Sequence, residues 1–254
     1  MTNIITIAGQ KGGTGKSTTA LNLAVSMALF EKRTLLIDCD PQGHVTLWSG
    51  ISVKKSGRGL VPVLSGTAEM QAAYVKTELK FLDILPSGFN LFNHAMKLAN
   101  SSANEKILRL LLKDIRHDYD YIILDSPSSY GFLSVMAMTA ADWLLVCMSA
   151  PDNDIVDFRC LLKTVKYIRA THNVPLRIAG VLFNKCSPEL DIHSFLEVRG
   201  LMDIQQMVYR NMIPDDVNIV QSTESRLPVA MHNIQSPAAQ AYLSFAEELD
   251  SFFN

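Results

Sequence analysis

The sequence predicts one α/β domain, a three-layer sandwich in which a mostly parallel, twisted sheet carries helices on both faces. Three observations lead there. Short runs that are apolar at every position alternate with segments of helical period, the pattern of strands buried on both faces and the helices that cover them. The chain has 254 residues, 48% hydrophobic and 19% charged, which is enough for one large core and excludes disorder of the whole. No repeat, low-complexity tract or clear linker divides it, so a single domain is expected over 1–254.

The elements follow in order. Residues 4–8 read as a strand that runs into a Gly-rich turn, and 17–30 as a helix with Leu21, Ala24, Val25, Ala28 and Leu29 on one face. Residues 34–37 are a second buried strand and 81–85 a third, stopped by Pro86, Ser87 and Gly88. A helix is expected over 105–115, a strand over 121–124 leading into Asp125, a helix over 132–140 and a strand over 143–148. A long helix over 154–170, a strand over 178–183 and a closing helix over 238–252 complete the pattern. Residues 49–78 are rich in Gly, Ser and Lys, show no clean period, and read as surface loops and short helices.

Composition excludes several functions. A net charge of −2 rules out a globally basic nucleic-acid binder, though not a local basic patch. Cys39, Cys147, Cys160 and Cys186 form no CxxC pair and read as reduced thiols rather than a disulfide frame or metal site. The six histidines are dispersed without ligand spacing. No run approaches the ~20 apolar residues that span a bilayer, and the first residues lack a basic n-region. The expectation is a soluble cytoplasmic protein without a membrane partner.

The strongest chemical signal is Lys11-Gly12-Gly13-Thr14-Gly15-Lys16-Ser17-Thr18, set between a strand and a helix. Glycines let the backbone turn tightly and present its N–H groups to phosphate oxygens. The helix opening at Lys16 adds its positive end. Lys16 can reach β- and γ-phosphates, and the Ser17 hydroxyl can ligate Mg²⁺. The pattern G-x-x-x-x-G-K-[ST] is not fully met, because Gln10 holds the first glycine position and Lys11 stands at the start of the loop.

Two acidic segments accompany the loop. The second strand ends in Asp38-Cys39-Asp40-Pro41-Gln42-Gly43, with aspartates at i and i+2 on one side of an extended chain. At the carboxyl end of a parallel strand they face the crevice where ligands bind. There a carboxylate can hold a magnesium-bound water or orient the attacking one. Residues 121–127 are an apolar strand ending in Asp125-Ser126-Pro127, a Walker B arrangement whose carboxylate ligates Mg²⁺.

With its early lysine, the loop resembles the deviant Walker A loop of the ParA/MinD family of ATPases, and Asp38 to Gly43 and Asp125 to Pro127 match that family's two switches. Ser128 stands where the family commonly has a second proline, which suggests a less stiff loop. Further landmarks, from Asp83 to Ser87, Gly180 to Asn184 and at Ile213-Pro214, extend the likeness over essentially the full length. The resemblance implies a P-loop NTPase fold, ATP and Mg²⁺ as ligands, and a homodimer when ATP is bound. It implies that Lys11 reaches the partner's nucleotide, that Asp40 serves the hydrolytic water and Asp38 the metal shell, and that Asn184 and Pro214-Asp215 flank the adenine. The catalytic set is then Lys11, Lys16 and Asp40. Residues Lys11, Gly12, Gly13, Thr14, Gly15, Lys16, Ser17, Thr18, Asn184, Pro214 and Asp215 bind the nucleotide, and Ser17, Asp38, Asp40 and Asp125 the metal.

Many relatives in that family bind DNA non-specifically through basic residues of the C-terminal third. Here residues 201–254 hold only Arg210 and Arg226 against seven acidic side chains, so non-specific DNA is a doubtful partner. One stripe remains, Arg159, Lys163, Lys166 and Arg169, which reads first as a solvated helix face. The acidic tail, with Phe252 and Phe253, suits core or dimer packing better than a membrane anchor. The first expectation is a dimerising ATPase that positions a plasmid, chromosome locus or protein assembly, with a partner protein stimulating slow turnover. The alternative is a nucleotide-gated regulatory module of a secretion, flagellar or polysaccharide-synthesis complex. A metabolic synthetase or reductase component ranks last, because nothing suggests a second substrate pocket.

Overall fold

In the computed structural model, the structure describes residues 2–9, 11–52, 58–100, 104–150 and 155–254. Gln10, residues 53–57 and the expected helix start at Asp154 lie outside them. The described strands are β1 (Asn3–Ala8), β2 (Thr34–Asp38), β3 (Val75–Lys76), β4 (Leu82–Leu85), β5 (Tyr121–Asp125), β6 (Trp143–Ser149) and β7 (Arg177–Asn184). They form one sheet in the order β3-β4-β2-β5-β1-β6-β7. Every pairing is parallel except β3 with β4. The mostly parallel three-layer sandwich is therefore what the chain forms.

Alternation along the strands feeds two cores. In β1, Ile5 and Ile7 join one face and Ile4 and Ala8 the other. The first face is covered by α1 (Lys16–Leu29) and by α12 (Pro237–Phe253), the closing helix. Helix α12 begins with Pro237 after a Ser236 cap, whose hydroxyl accepts from the Ala239 N–H at 3.2 Å. It buries Tyr242, Phe245 and Leu249 fully, each contributing about 2–3 kcal/mol of apolar burial. Phe252 and Phe253 pack on Trp143, and Phe253 also meets Tyr121, which gives the tail a packing role within the chain.

The opposite face is covered by α6 (Ile107–Lys113), α7 (Phe132–Ala140) and α8 (Ile155–Thr171). The helix expected over 105–115 is shorter, a 3₁₀ turn at Asn104–Lys106 followed by α6. The described part of 49–78 carries the expected short helices, but they are partly interior rather than on the surface. Helices α3 (Leu60–Leu64) and α4 (Met70–Ala73) bury Leu60, Val63, Leu64, Met70 and Ala73, and β3 adds an antiparallel edge. These helices are too short to show a period, and their apolar residues are scattered among polar ones.

At the far edge, β7 is flanked by the segment 208–215. Tyr209 N–H donates to the Val181 carbonyl at 3.0 Å and Ile213 N–H to that of Phe183 at 2.9 Å. Tyr209 lies so close over Gly180 that a Cβ there would collide with its ring at Cε2. This strap carries Pro214 and Asp215 to the end of β7, with Asp215 N–H bonded to the Cys186 carbonyl. The cysteines are all free, and burial pushes the Cys147 thiol up to about 11 and that of Cys186 up to about 12, which disfavours the reactive thiolate of these two.

Candidate nucleotide site

Strands β2, β5 and β1 are neighbours, and their carboxyl ends converge. Asp38 lies opposite Asp125 in the β2–β5 register, and Asp125 lies opposite Ile7 of β1. The loop that follows β1 therefore opens directly above both aspartates. Gly13 and Gly15 hold φ of +85° and +86°, a region that strains other residues. Gly15 meets a second constraint, because a Cβ there would lie 2.9 Å from Asn184 Cγ. Gly9, which the sequence reading passed over, is equally closed: its Cβ would sit 2.8 Å from the Cys147 carbonyl oxygen. A glycine ending a strand just before such a loop was the available signal.

Lys16, 6% exposed, donates from Nζ to the Lys11 carbonyl at 3.0 Å, and the Thr14 hydroxyl donates to the same oxygen at 3.3 Å. The loop thus curls around the Lys16 ammonium. Lys11 itself is exposed at the rim, as are Gly12 and Gly13. Asn184 is 3% exposed and sits behind the loop, donating to the Thr14 carbonyl at 3.0 Å and accepting from the Thr19 hydroxyl at 3.4 Å. One end of its amide thus braces the phosphate loop and the other the first turn of α1. Pro214 and Asp215 do reach the same end of the sheet, next to Cys186.

The aspartates divide into distinct environments. Asp38 is fully buried, and both its oxygens are engaged. Oδ2 accepts from the Thr46 N–H at 2.9 Å and the Thr46 hydroxyl at 2.6 Å, while Oδ1 accepts from the Asp40 N–H at 3.1 Å. Burial raises its pKa to about 6 against the opposing pull of these donors. Asp38 thus organises the loop that carries Asp40. Thr46 and Ser87, which complete this cluster, were not foreseen, since a threonine eight residues downstream gives no sequence signal. Asp40 is 9% exposed, and its Oδ1 accepts from the Gln42 N–H at 2.9 Å, which holds the turn after it.

Asp125 is also fully buried, but neither of its oxygens has a hydrogen-bond partner of good geometry. Burial pushes its pKa well above the usual carboxylate range and Asp38 adds to the rise, opposed by the Ser17 hydroxyl and the Lys16 charge. The loop beyond is strapped on two sides. Ser126 donates to the Ile7 carbonyl at 2.7 Å, and Ser134 of α7 donates to the Ser129 carbonyl at 2.6 Å. The serine at 128 therefore comes with a hydroxyl brace from the following helix. The basic stripe of α8 is exposed at Arg159, Lys163, Lys166 and Arg169, although Arg169 Nε donates to the Leu176 carbonyl at 2.7 Å.

Comparison with known proteins bears on this geometry. A family model described as an AAA domain matches residues 2–178. The chromosome partitioning protein ParA of Caulobacter vibrioides is 34% identical over 254 residues, covering 98% of this chain and 94% of the relative. The sporulation initiation inhibitor protein Soj of Bacillus subtilis is 30% identical over 253 residues and 98% of each chain. The chain belongs to the ParA/MinD family of ATPases. Within the reach of that family's fold, the septum site-determining protein MinD of Pyrococcus horikoshii, solved with Mg-ADP, superposes with a TM-score of 0.81 at 26% identity, covering 100% of this chain and 98% of that one. Cobyrinic acid a,c-diamide synthase of Mycobacterium smegmatis, solved with an ATP analogue and magnesium, gives 0.84 at 26% identity over 100% and 96%.

The residues of this ParA/MinD-type site fit a divalent cation. A fully buried carboxylate with two unpartnered oxygens is unfavourable by itself and is satisfied by a cation. Among the described residues no three His, Cys, Asp or Glu side chains cluster as a self-sufficient metal cage. Mg²⁺ takes few protein carboxylates and completes its shell with water and phosphate oxygens. No described helix is long and apolar enough to cross a membrane.

Proposed function

We propose that the chain is an ATP-dependent, dimerising ATPase whose cycle of binding and hydrolysis partitions or positions a cargo. The observation that carries this reading is Asp125, a buried carboxylate whose oxygens meet no hydrogen-bond donor in good geometry, in register beside Asp38 and at the mouth of a glycine loop that wraps a buried lysine. That arrangement has little use other than holding a cation and a polyphosphate.

In the proposed reaction water attacks the γ-phosphorus of ATP, the bond to the β,γ-bridging oxygen breaks, and ADP and phosphate leave. Ser17 and Asp125, with Asp38 and Asp40, would hold Mg²⁺, and the ion would supply charge neutralisation on the phosphates. Lys16 stabilises negative charge on the transferred group together with the loop N–H groups. Asp40, held by the Gln42 N–H and by Asp38, orients the water. Lys11, exposed at the rim, serves the nucleotide of the partner subunit. A cleft of about 350 Å³ borders Asp40 and is lined by Phe92, Met96 and Phe132, of which Phe92 is 62% and Met96 54% exposed. Exposed apolar side chains beside the switch loops support a protein contact there.

Light scattering with ATP and with ADP, alongside phosphate release, tests the proposal. Lys16→Ala should lose nucleotide binding. Asp40→Ala should bind and dimerise without turnover, and Lys11→Ala should bind but neither dimerise nor turn over. ATP-dependent dimers and normal turnover in Lys11→Ala would refute the role of that lysine.

The second reading, a nucleotide-gated regulatory module without DNA binding, is favoured by the acidic balance of residues 201–254. The α8 stripe is then a solvated face. DNA binding measured with ATP from 50 to 300 mM salt, an order-of-magnitude range for counterion effects, separates the two.

A further inference from the structure

We infer that Lys185 is a third lysine of the phosphate site, reaching the nucleotide's phosphate chain within its own subunit from the end of β7. The inference rests on the nucleotide reading above and adds a residue to it. Lys185 directly follows Asn184, the last residue of β7, and holds φ of +57°, where a side chain is disfavoured by about 1 kcal/mol. Such a conformation persists only where its neighbours impose it. Here they do. Asn184 is tied to the Thr14 carbonyl on one side, and Cys186 N–H is bonded to the Ile213 carbonyl at 3.0 Å on the other.

The outcome of that twist is the position of the ammonium. A Cβ placed on Gly13 would lie 4.0 Å from Lys185 Nζ and would meet no other atom that close, so the charge stands over the loop at Gly13. Lys185 is exposed and makes no hydrogen bond or ion pair with any described residue. Lysines on a surface usually project away from the chain into solvent. This one is turned toward a loop whose N–H groups and helix end already favour anions. An exposed ammonium at that place is matched in charge and donors to the oxygens of a polyphosphate. Gly13 suits the same purpose, because a side chain there would fill the space between the amine and the loop.

The test uses three variants of the full chain. Lys185→Gly removes the amine and relieves the backbone, since glycine adopts this φ without strain. Lys185→Gln removes the charge while keeping length, and Lys185→Arg keeps the charge. Titration with fluorescent ATP and ADP in magnesium buffer, with adenosine as the phosphate-free comparison, gives affinities, and thermal unfolding reports on the fold. Loss of a charge-assisted contact predicts about tenfold weaker ATP and ADP binding for Gly and Gln. Arg should stay within about threefold of the parent, adenosine should not change, and the salt dependence of ATP binding should flatten for Gly and Gln. The Gly variant should melt no lower than the parent, which separates lost contact from lost fold. If the parent binds ATP and the Gly and Gln variants bind it equally well, Lys185 has no phosphate role and the site reading stands without it. If the parent itself binds no ATP, the site reading fails and this inference with it.

Discussion

Replacing Thr46 by valine tests how the Asp40 loop is held. The Thr46 hydroxyl is buried, donates to Asp38 Oδ2 at 2.6 Å and accepts from the Ser87 N–H at 3.0 Å. Valine matches its shape and deletes both bonds. The lost bond to a carboxylate is worth about 1.5–3 kcal/mol, and an orphaned Ser87 N–H adds about 1–3 kcal/mol. Because the two share one oxygen and the site can relax, we expect a loss near the low end of the sum, about 3 kcal/mol. For a chain of this size each kcal/mol moves Tm by roughly 2–4 °C, so the shift should be about 6–12 °C. Urea unfolding followed by circular dichroism would measure it, with Thr46→Ser, which keeps the hydroxyl, close to the parent. On the proposed role of Asp40, the Val variant should also lose kcat more than ATP affinity, since Asp38 holds the loop that carries Asp40. A destabilisation under about 1 kcal/mol, or a Ser variant as damaged as Val, would refute the reasoning.

Two other outcomes are expected. Gly15→Ala places a methyl 2.9 Å from Asn184 Cγ at a φ of +86°, so ATP binding should fall at least about tenfold while the sheet stays folded, as read by titration and circular dichroism. Acid should destabilise the chain through Asp216 and Asp250. Burial pushes both carboxyls up, but for Asp216 the Ala238 N–H and the Asn218 side chain and N–H, and for Asp250 the Tyr121 hydroxyl and Lys32, outweigh it and hold them below the usual range. Stability from a depressed carboxyl is fully present above its unfolded pKa of about 3.9 and disappears as pH falls through the folded value. Asp250→Asn should therefore flatten the fall in Tm below pH 4.

Much of this architecture was legible from the residues because buried parallel strands are apolar on both faces. Strands β1, β2, β5, β6 and β7 read directly, as did α1, α7 and α12. The phosphate loop was legible for a different reason: its glycines and lysines are required by local backbone geometry. What escaped notice depends on partners distant in sequence. The brace from Asn184 to Thr14 spans 170 positions, and the Thr46–Ser87 bond spans 41. The same holds for residues 49–78, where Leu60, Val63 and Met70 become interior only once β4 and the sheet edge are in place. Lys185 belongs to this group too, since only the strap along β7 fixes the turn that aims it.

The two margins of the sheet have a consequence for how copies of the chain can meet. One ends in β3, a strand of two residues, and the other is occupied along β7 by the 208–215 segment. Neither offers a long naked ladder of amides on which a second molecule could add itself, so open-ended fibre growth by strand stacking is closed off. A contact between copies would then rest on side-chain surfaces, which can separate again.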